Sequence, residues 1–352
     1  MSHSGCWVIE NYQYRPCADP RREFRSLVSL HNHSNHSVEN LAALNGVVKL
    51  WFMRPFRRVL QKAFGLDGVR DLNYAEVLYS PPYAPEEVLR MEEEAVSGLG
   101  FDGVQLAITD HDEVAGSVEL RERRPDQAHR IALAEELSVR FQRHLFHLGI
   151  SGLPEDSIAA THAQLQAAAR GGRLDELFES LHATGCLVVL NHPLVPWGRN
   201  GAGAIPVQEL LQRYGWAIHA LEFSGMRRPQ ENERVLELAR HAGKPVVGGG
   251  DSHFLAPSAV ICGSPDAEKF ADFIQEVKSG RATPLIKSAY FAPLRWKLFL
   301  RVLSFIAHYR QIASYRGQSA QQMLGNRTVL LDPVGQAARV FLRLAAALQL
   351  VR

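Results

Sequence analysis

This sequence predicts an α/β fold in which mostly parallel strands close into a barrel. Two observations carry that expectation. Short apolar runs alternate with amphipathic helical segments along most of the 352 residues, which is the pattern of repeated strand–helix units. Histidines and carboxylates cluster where the apolar runs end. In barrels of this kind the chemistry sits in the loops after the carboxyl ends of the strands.

The elements follow in order. Strands are expected over Leu27–Leu30, Val104–Ile108, Ile131–Leu133, Leu145–Leu148, Leu187–Leu190, Ala220–Phe223 and Val246–Val247. Helical segments lie between them, among them PEEVLRMEEEAVSGLG, LDELFESLHATG and QENERVLELARHAGKP. The second stops at Gly185, and the third at Gly243 and Pro245, which are chain-stopping positions for a helix. Two regions break the alternation. Residues 40–80 contain VVKLWFMRPFRRVLQKAFG, aromatic and basic. The tail from Leu285 carries Lys287, Arg295, Lys297, Arg301 and Arg310, then GQAARVFLRLAAALQLVR with Arg339 and Arg343 on one helical face. Two readings of both regions stay open: helices packed on the core with snorkelling arginine stems, or a surface for a membrane or a protein partner. The expected organisation is a barrel domain over 1–284, with 40–80 as an insertion, and a basic helical extension over 285–352.

Composition bounds the function. A hydrophobic fraction of 46% suits a globular protein. A net charge of +2 is too small for nucleic-acid or membrane binding across the whole surface. Cys6, Cys17, Cys186 and Cys262 form no CxxC pair, which argues against a zinc ribbon and for a reducing, cytoplasmic setting. MSHSGCWVIENYQYRP lacks a basic start followed by an apolar run, so it is not read as a signal peptide. Arg301 interrupts WKLFLRVLSFIA, the longest candidate for a membrane span.

Five clusters carry the chemistry. In LHNHSNHSVEN, His31 and His33 are two apart at a strand end, so both imidazoles can face one ion. Asp251 and His253 repeat the spacing in VVGGGDSH. That triple glycine is not a Walker loop, because no GK[ST] follows it. LAITDHD supplies Asp110 and His111, AEELSVRFQRHLFHLG supplies Glu136 and His147, and VVLNHP supplies His192. Strand alternation allows only one of Glu135 and Glu136 to face inward, and the eleven-residue spacing to His147 favours Glu136. Imidazole and carboxylate without thiolate favour Zn²⁺, Mn²⁺ or Fe²⁺. His3, His129, His144, His162, His182, His241 and His308 lack such partners and read as structural or solvated. His219 starts the strand leading to Glu222, and Glu222, near the end of that strand, is placed to contact the site.

At these residues, from about Val28 to His253, the series HxH, TDH, E followed by H, HP and DxH resembles the polymerase and histidinol phosphatase (PHP) family of metal-dependent phosphoesterases. The resemblance implies a distorted seven-stranded β/α barrel holding two or three divalent ions. His31, His33, Glu136 and Asp251 would bind the first ion. Glu136 would bridge to a second held by His147 and His192, and His111 and His253 would hold a third. Asp110 would orient and support. The implied reaction is hydrolysis of a phosphate ester through a metal-bridging hydroxide, on a small phosphorylated substrate or a nucleic-acid end.

The chain departs from the family pattern in three places. Ser29 stands where members often have Asp. Val38 and Glu39 occupy the positions of the third ion's further ligand, so Glu39 is the candidate there, with His36 as a nearby substitute. The 40–80 insertion leaves the loop after the first ligand strand and could act as a lid. Arg199 in HPLVPWGRN, and Arg227 with Arg228 in LEFSGMRR, are candidate phosphate clamps. Two other functions compete. A metal-dependent amidohydrolase also uses HxH on a barrel strand but usually needs a carboxylated lysine. A partly degenerate barrel could serve as a binding or scaffold module.

Overall fold

The structure is a computed structural model. It describes residues 5–40, 77–81, 83–195, 206–253 and 258–293, with a few positions beyond 300. The chain divides into two compact units. The first is Met1–His36 with Tyr83–Phe291, and the second is Ser37–Pro82 with Ala292–Arg352. In the second unit the described residues form one antiparallel sheet. Its strands are β4 (Glu39–Asn40), β5 (Val77–Tyr79), β15 (Ile312–Tyr315) and β16 (Gln318–Ser319), in the order β16-β15-β5-β4. VVKLWFMRPFRRVLQKAFG lies outside the described residues, as does most of the basic tail. No helix among the described residues is long and apolar enough to cross a membrane.

The first unit holds two sheets. One contains β1 (Cys6–Glu10), β2 (Gln13–Cys17), β3 (Ser26–Ser29), β6 (Gln105–Ala107), β7 (Ile131–Ala132), β13 (Val260–Ser264) and β14 (Thr283–Lys287). Their order is β2-β1-β14-β13-β3-β6-β7. The other contains β8 (Ala134–Phe141), β9 (His144–Ser151), β10 (Leu187–Asn191), β11 (Ala220–Ser224) and β12 (Val246–Gly249), in the order β12-β11-β10-β9-β8.

All seven expected strands are present. The expectation of a mostly parallel sheet is corrected. Only β3-β6-β7 and β10-β11-β12 run parallel, and every other pairing is antiparallel. Two tight hairpins explain much of the difference. Asn11 and Tyr12, both at positive φ, turn β1 into β2, and Gln142 at φ 55 turns β8 into β9. Pro16 weakens the strand signal of β2, yet it sits on the sheet edge where a missing N–H is tolerated.

Among the described residues the backbone ladders do not close into a ring. The chain crosses from one sheet to the other through Leu133, between β7 and β8. At the opposite seam β12 approaches β13 through Gly248. A Cβ there would lie 2.4 Å from the Ile261 carbonyl oxygen, and the Gly248 N–H donates to Cys262 Sγ at 3.1 Å.

The helices form for local reasons. Pro85–Ser97 and Pro229–Ala242 each begin on a proline, whose missing N–H is no loss at a first helical position. Leu174–Thr184 and Pro229–Ala242 end at Gly185 and Gly243, both in the left-handed conformation the sequence implied. Their apolar faces pack on β8–β11, where Leu137, Leu148, Leu190, Phe178 and Phe223 are fully buried. The result places the ends of β3, β6, β10 and β12 close together.

His219 links two elements of this core. Its ring Nδ1 accepts the Val188 N–H at 3.0 Å, and its own N–H donates to the Val188 carbonyl at 2.8 Å. Burial, then Lys278 and Lys244, push its pKa from 6.5 down to about 4. Between those values the unfolded chain binds the extra proton and the folded chain does not, so the contribution is full above the unfolded pKa and lost as pH falls. Thermal melts should therefore show stability falling from about pH 6.5 to about pH 4 more steeply for the native chain than for His219→Gln. Parallel pH profiles for the two proteins would contradict this.

Candidate metal centre

Glu136 is the centre of the site. It lies in β8, with its carboxylate fully buried. Its neighbour Glu135 faces the other way and binds His162 Nδ1 at 3.0 Å and Gln166 Nε2 at 3.1 Å, as strand alternation requires. Glu136 Oε1 accepts from Asn191 Nδ2 at 2.9 Å and lies 3.2 Å from His192 Nε2, 3.3 Å from His31 Nε2 and 3.3 Å from His147 Nδ1. Oε2 lies 3.0 Å from His111 Nδ1 and 3.5 Å from His33 Nε2, yet it accepts no hydrogen bond among the described residues.

Asp251 approaches from the end of β12. Its Oδ1 is 3.2 Å from His253 Nδ1, 3.8 Å from His31 Nε2 and 3.9 Å from His33 Nε2. The Nε2 atoms of His31 and His33 are 3.1 Å apart. The rings of His33, His111 and His253 also gather, with centroids 4.1 Å, 4.7 Å and 6.0 Å apart.

So many ring nitrogens cannot all donate to two carboxylates. A neutral imidazole has one N–H and one lone pair, and lone pairs that converge at about 3 Å suit a cation better than one another. The bare buried oxygen of Glu136 points to the same conclusion. Within the first unit, three groups of described side chains bring their ligand atoms close enough to hold an ion: His31, His33 and Asp251; His31, Glu136 and His192; His111, Glu136 and His147.

Short backbone bridges hold the ligand residues where the sheet ladders have ended. His33 N–H donates to the Ser252 carbonyl at 3.0 Å, and Ser252 N–H donates to that of His31 at 3.3 Å, which sets the HxH and DxH pairs side by side. Glu136 N–H donates to the Asp110 carbonyl at 3.0 Å, and Asp112 N–H to that of Glu136 at 2.9 Å. His192 at φ 29 and Asp251 at φ 48 are held in the left-handed region, a strain that surrounding contacts must sustain.

A second layer orients the first. Glu222 accepts from His31 Nδ1 at 2.7 Å and from the His192 backbone N–H at 2.7 Å. This seats an Nδ1 proton of His31 on Glu222, so that Nε2 faces inward and would offer its lone pair to a bound ion, a carboxylate–histidine arrangement typical of metal sites. Asp110 accepts from Ser34 N–H at 2.6 Å and Ser34 Oγ at 2.7 Å, which ties the loop after β3 to the loop after β6.

Charge is balanced within the cluster. Burial disfavours a charged His31, but Glu136 and Glu222 outweigh it and raise its pKa well above the ordinary value. Burial together with His253 and His111 holds His33 well below it. Burial opposes the Glu136 carboxylate, but His31, His147 and His111 keep its pKa low. Asp251 is likewise held low against burial by His253, His31, His192 and Arg227.

The expected residues His31, His33, His111, Glu136, His147, His192, Asp251 and His253 thus come together. Arg227 reaches the same site, with Nη2 3.9 Å from Asp251 Oδ2 and a buried Nε that makes no hydrogen bond among the described residues. Arg228 is exposed and its backbone N–H caps the helix through Glu231. Arg199 lies outside the described residues. Glu39 is on β4 of the second unit. His36 is engaged elsewhere, 2.7 Å from Glu119. Asn191 was not read from the sequence at all, although it immediately precedes His192. Glu222 is the lone carboxylate in an otherwise apolar run, a signal the sequence did offer.

No family model and no curated protein matches the chain. Solved structures similar to it include PHP-like metal-dependent phosphoesterases. One, from Bifidobacterium adolescentis, is assigned as a metal-dependent phosphoesterase. It is 18% identical, covers 49% of this chain and 83% of its own, and has a TM-score of 0.34. A two-domain protein from Bacteroides vulgatus contains a predicted PHP-like metal-dependent phosphoesterase. It is 15% identical, covers 58% and 60%, and has a TM-score of 0.41. An amidohydrolase from Chromobacterium violaceum, with sulfate bound and no metal, is 19% identical, covers 49% and 83%, and has a TM-score of 0.36.

Gly249 offers a test of the second layer. A Cβ there would sit 1.9 Å from Glu222 Oε1. Gly249→Ala should displace Glu222 from His31 and weaken metal affinity by about 10–100-fold while the chain still folds. Calorimetric titration with Zn²⁺ or Mn²⁺ checks this, and unchanged affinity would contradict the role given to Glu222.

Proposed function

We propose that the chain is a metal-dependent phosphoesterase acting on a phosphomonoester or nucleotide-like substrate. One observation carries the reading. A fully buried carboxylate, Glu136, sits within 3.5 Å of ring nitrogens from His31, His33, His111, His147 and His192. That arrangement suits a bridge between divalent ions.

In this reading His31, His33, Glu136 and Asp251 hold one ion. Glu136, His147 and His192 hold a second, and His111 with His253 contribute to a third. Divalent ions in such a site lower the pKa of water and neutralise charge on phosphoryl oxygens. The rest is done by the chain's own side chains. Arg227 presents a guanidinium with an unused buried N–H toward the carboxylate end of the cluster, where it would grip a phosphate oxygen. His253, hydrogen-bonded through Nδ1 to the Asp251 backbone carbonyl at 3.0 Å and partly exposed, has its Nε2 left for the third ion or, where that ion is not bound, for a proton at the open side. Asp110 keeps the two ligand loops in register through Ser34. The amidohydrolase alternative would call for a carboxylated lysine. Among the described residues no lysine has a contact with the cluster, and Glu136 occupies the central place instead.

The chain supplied with Mn²⁺ should release phosphate from members of a panel of phosphorylated metabolites and oligonucleotides. Chelation, His31→Ala or Asp251→Asn should abolish release. Turnover that survives metal removal would sink the proposal, and amide hydrolysis without phosphate release would favour the alternative.

Arg227→Ala separates binding from chemistry. It should raise KM for a phosphorylated substrate by roughly tenfold or more, the loss of a charge-assisted contact, with bound metal unchanged. An unchanged KM would remove Arg227 from the substrate site.

A further inference from the structure

Glu92 is a buried carboxylate outside the ligand cluster. It lies on the helix Pro85–Ser97, on the face whose Val88, Leu89 and Val96 share an apolar core with Leu27, Leu106 and Ile261 of the sheet. A leucine or valine would suit that position, yet a glutamate stands there, only 1% exposed. Taking a carboxylate out of water is costly, so what it binds needs an explanation. Its Oε1 accepts the Ser258 backbone N–H at 2.7 Å. Its Oε2 accepts no hydrogen bond among the described residues.

That single bond leads to the metal centre by a short route. Ser258, just before β13, is 2% exposed. Its hydroxyl donates to Asn32 Oδ1 at 3.3 Å and lies 3.2 Å from Ser29 Oγ. Asn32 is fully buried and stands between His31 and His33 in the chain. Its side chain faces away from theirs, as extended backbone requires. Asn32 Nδ2 donates to Ser29 Oγ at 3.0 Å and to the Ala107 carbonyl at 3.1 Å, which leaves Oδ1 as the acceptor facing Ser258. One amide thus ties the end of β3 to the end of β6 and to Ser258. The Asn32 backbone also bridges to Ser252, between Asp251 and His253. Gly250 leaves the room that Ser258 occupies, because a Cβ there would sit 1.9 Å from Ser258 Oγ.

These bonds back the ligands of one ion, His31, His33 and Asp251, and none of them reaches His147 or His192. We propose that Glu92 is a positioning residue for the metal centre: through Ser258 and Asn32 it holds His31 and His33 at the spacing that the first ion needs. In a dry interior no water competes for the Ser258 N–H. With Ser258 fixed, Asn32 cannot turn without giving up its other partners, and the two imidazoles on either side of it keep their places. The inference rests on reading the cluster as a metal centre, and not on the reaction assigned to it.

Calorimetric titration of the metal-free full chain with Mn²⁺ tests it. His33→Ala and His147→Ala mark which binding step belongs to which ion. Glu92→Ala should weaken the step that His33→Ala removes by about tenfold or more, the usual effect of losing an outer partner. The step that His147→Ala removes should not change. Glu92→Gln keeps an acceptor for the Ser258 N–H and should bind like the native chain. Ser258→Ala breaks the link to Asn32 and should match Glu92→Ala; it carries the test alone should Glu92→Ala fail to fold. In a His33→Ala background, Glu92→Ala should have no further effect on the remaining ion. Native affinity at both steps in Glu92→Ala and Ser258→Ala would overturn the proposal. Equal loss at both steps would also overturn it, by marking a general loosening of the fold. So would a Glu92→Gln chain as weak as Glu92→Ala, which would make the buried charge the active feature. A native chain that binds no Mn²⁺ would overturn it together with the metal centre. Metal binding without phosphate release would leave it standing and remove only the reaction.

Discussion

The buried Glu136 carboxylate is the constraint that the rest of the first unit answers to. Taking an ionised carboxylate out of water costs several kcal/mol unless charge and hydrogen bonds compensate. Here Oε1 has Asn191 and nearby imidazoles, while Oε2 has imidazole nitrogens close by and no hydrogen bond among the described residues. Imidazolium charge alone is a poor remedy, because the burial and mutual repulsion that hold His33 neutral oppose protonating the rings together. A bound cation resolves both problems. It satisfies the carboxylate and uses the lone pairs of the surrounding rings.

Placing those rings dictates the architecture. The ligands come from the ends of β3, β6, β10 and β12 and from within β8 and β9. A continuous ladder would keep the strand ends apart at the ordinary spacing. Instead the sheets break beside the site, at Leu133 and at the β12–β13 seam, and single bridges such as Asn32 with Ser252 and His111 with Glu136 replace the ladder. Backbone strain at His192 and Asp251 is the local cost of turning side chains inward there. Glu222 offsets part of it by binding both the His31 ring and the His192 backbone.

The two ends of the strands are chemically distinct. The carboxyl ends gather imidazole and carboxylate groups suited to cations, while the amino ends gather guanidinium groups. The separation follows from the parallel core. Helices that follow a strand begin near its carboxyl end, so other groups must close the amino end.

The sequence by itself determined the strands and most of the side chains that gather at the candidate metal centre. Apolar runs of four or five residues can only be buried, and imidazole and carboxylate at their ends are legible because period-two alternation places them on one face. Gly185 and Gly243 marked helix ends for an equally local reason, the left-handed conformation that a Cβ disfavours. Tertiary structure alone decided which residues meet. Nothing local tells that Glu222 binds His31 across 191 positions, that Asn191 joins the rings in donating to Glu136, or that His36 turns to Glu119. The antiparallel share of the sheets and the break in the ladder were equally hidden, because pairing direction is set by hairpins and by long-range packing. A cavity at the amino ends of β3 and β6 was invisible for the same reason. Its cations, Arg21 with Arg25, Arg130 and Lys269, come from three distant segments that only the fold brings together.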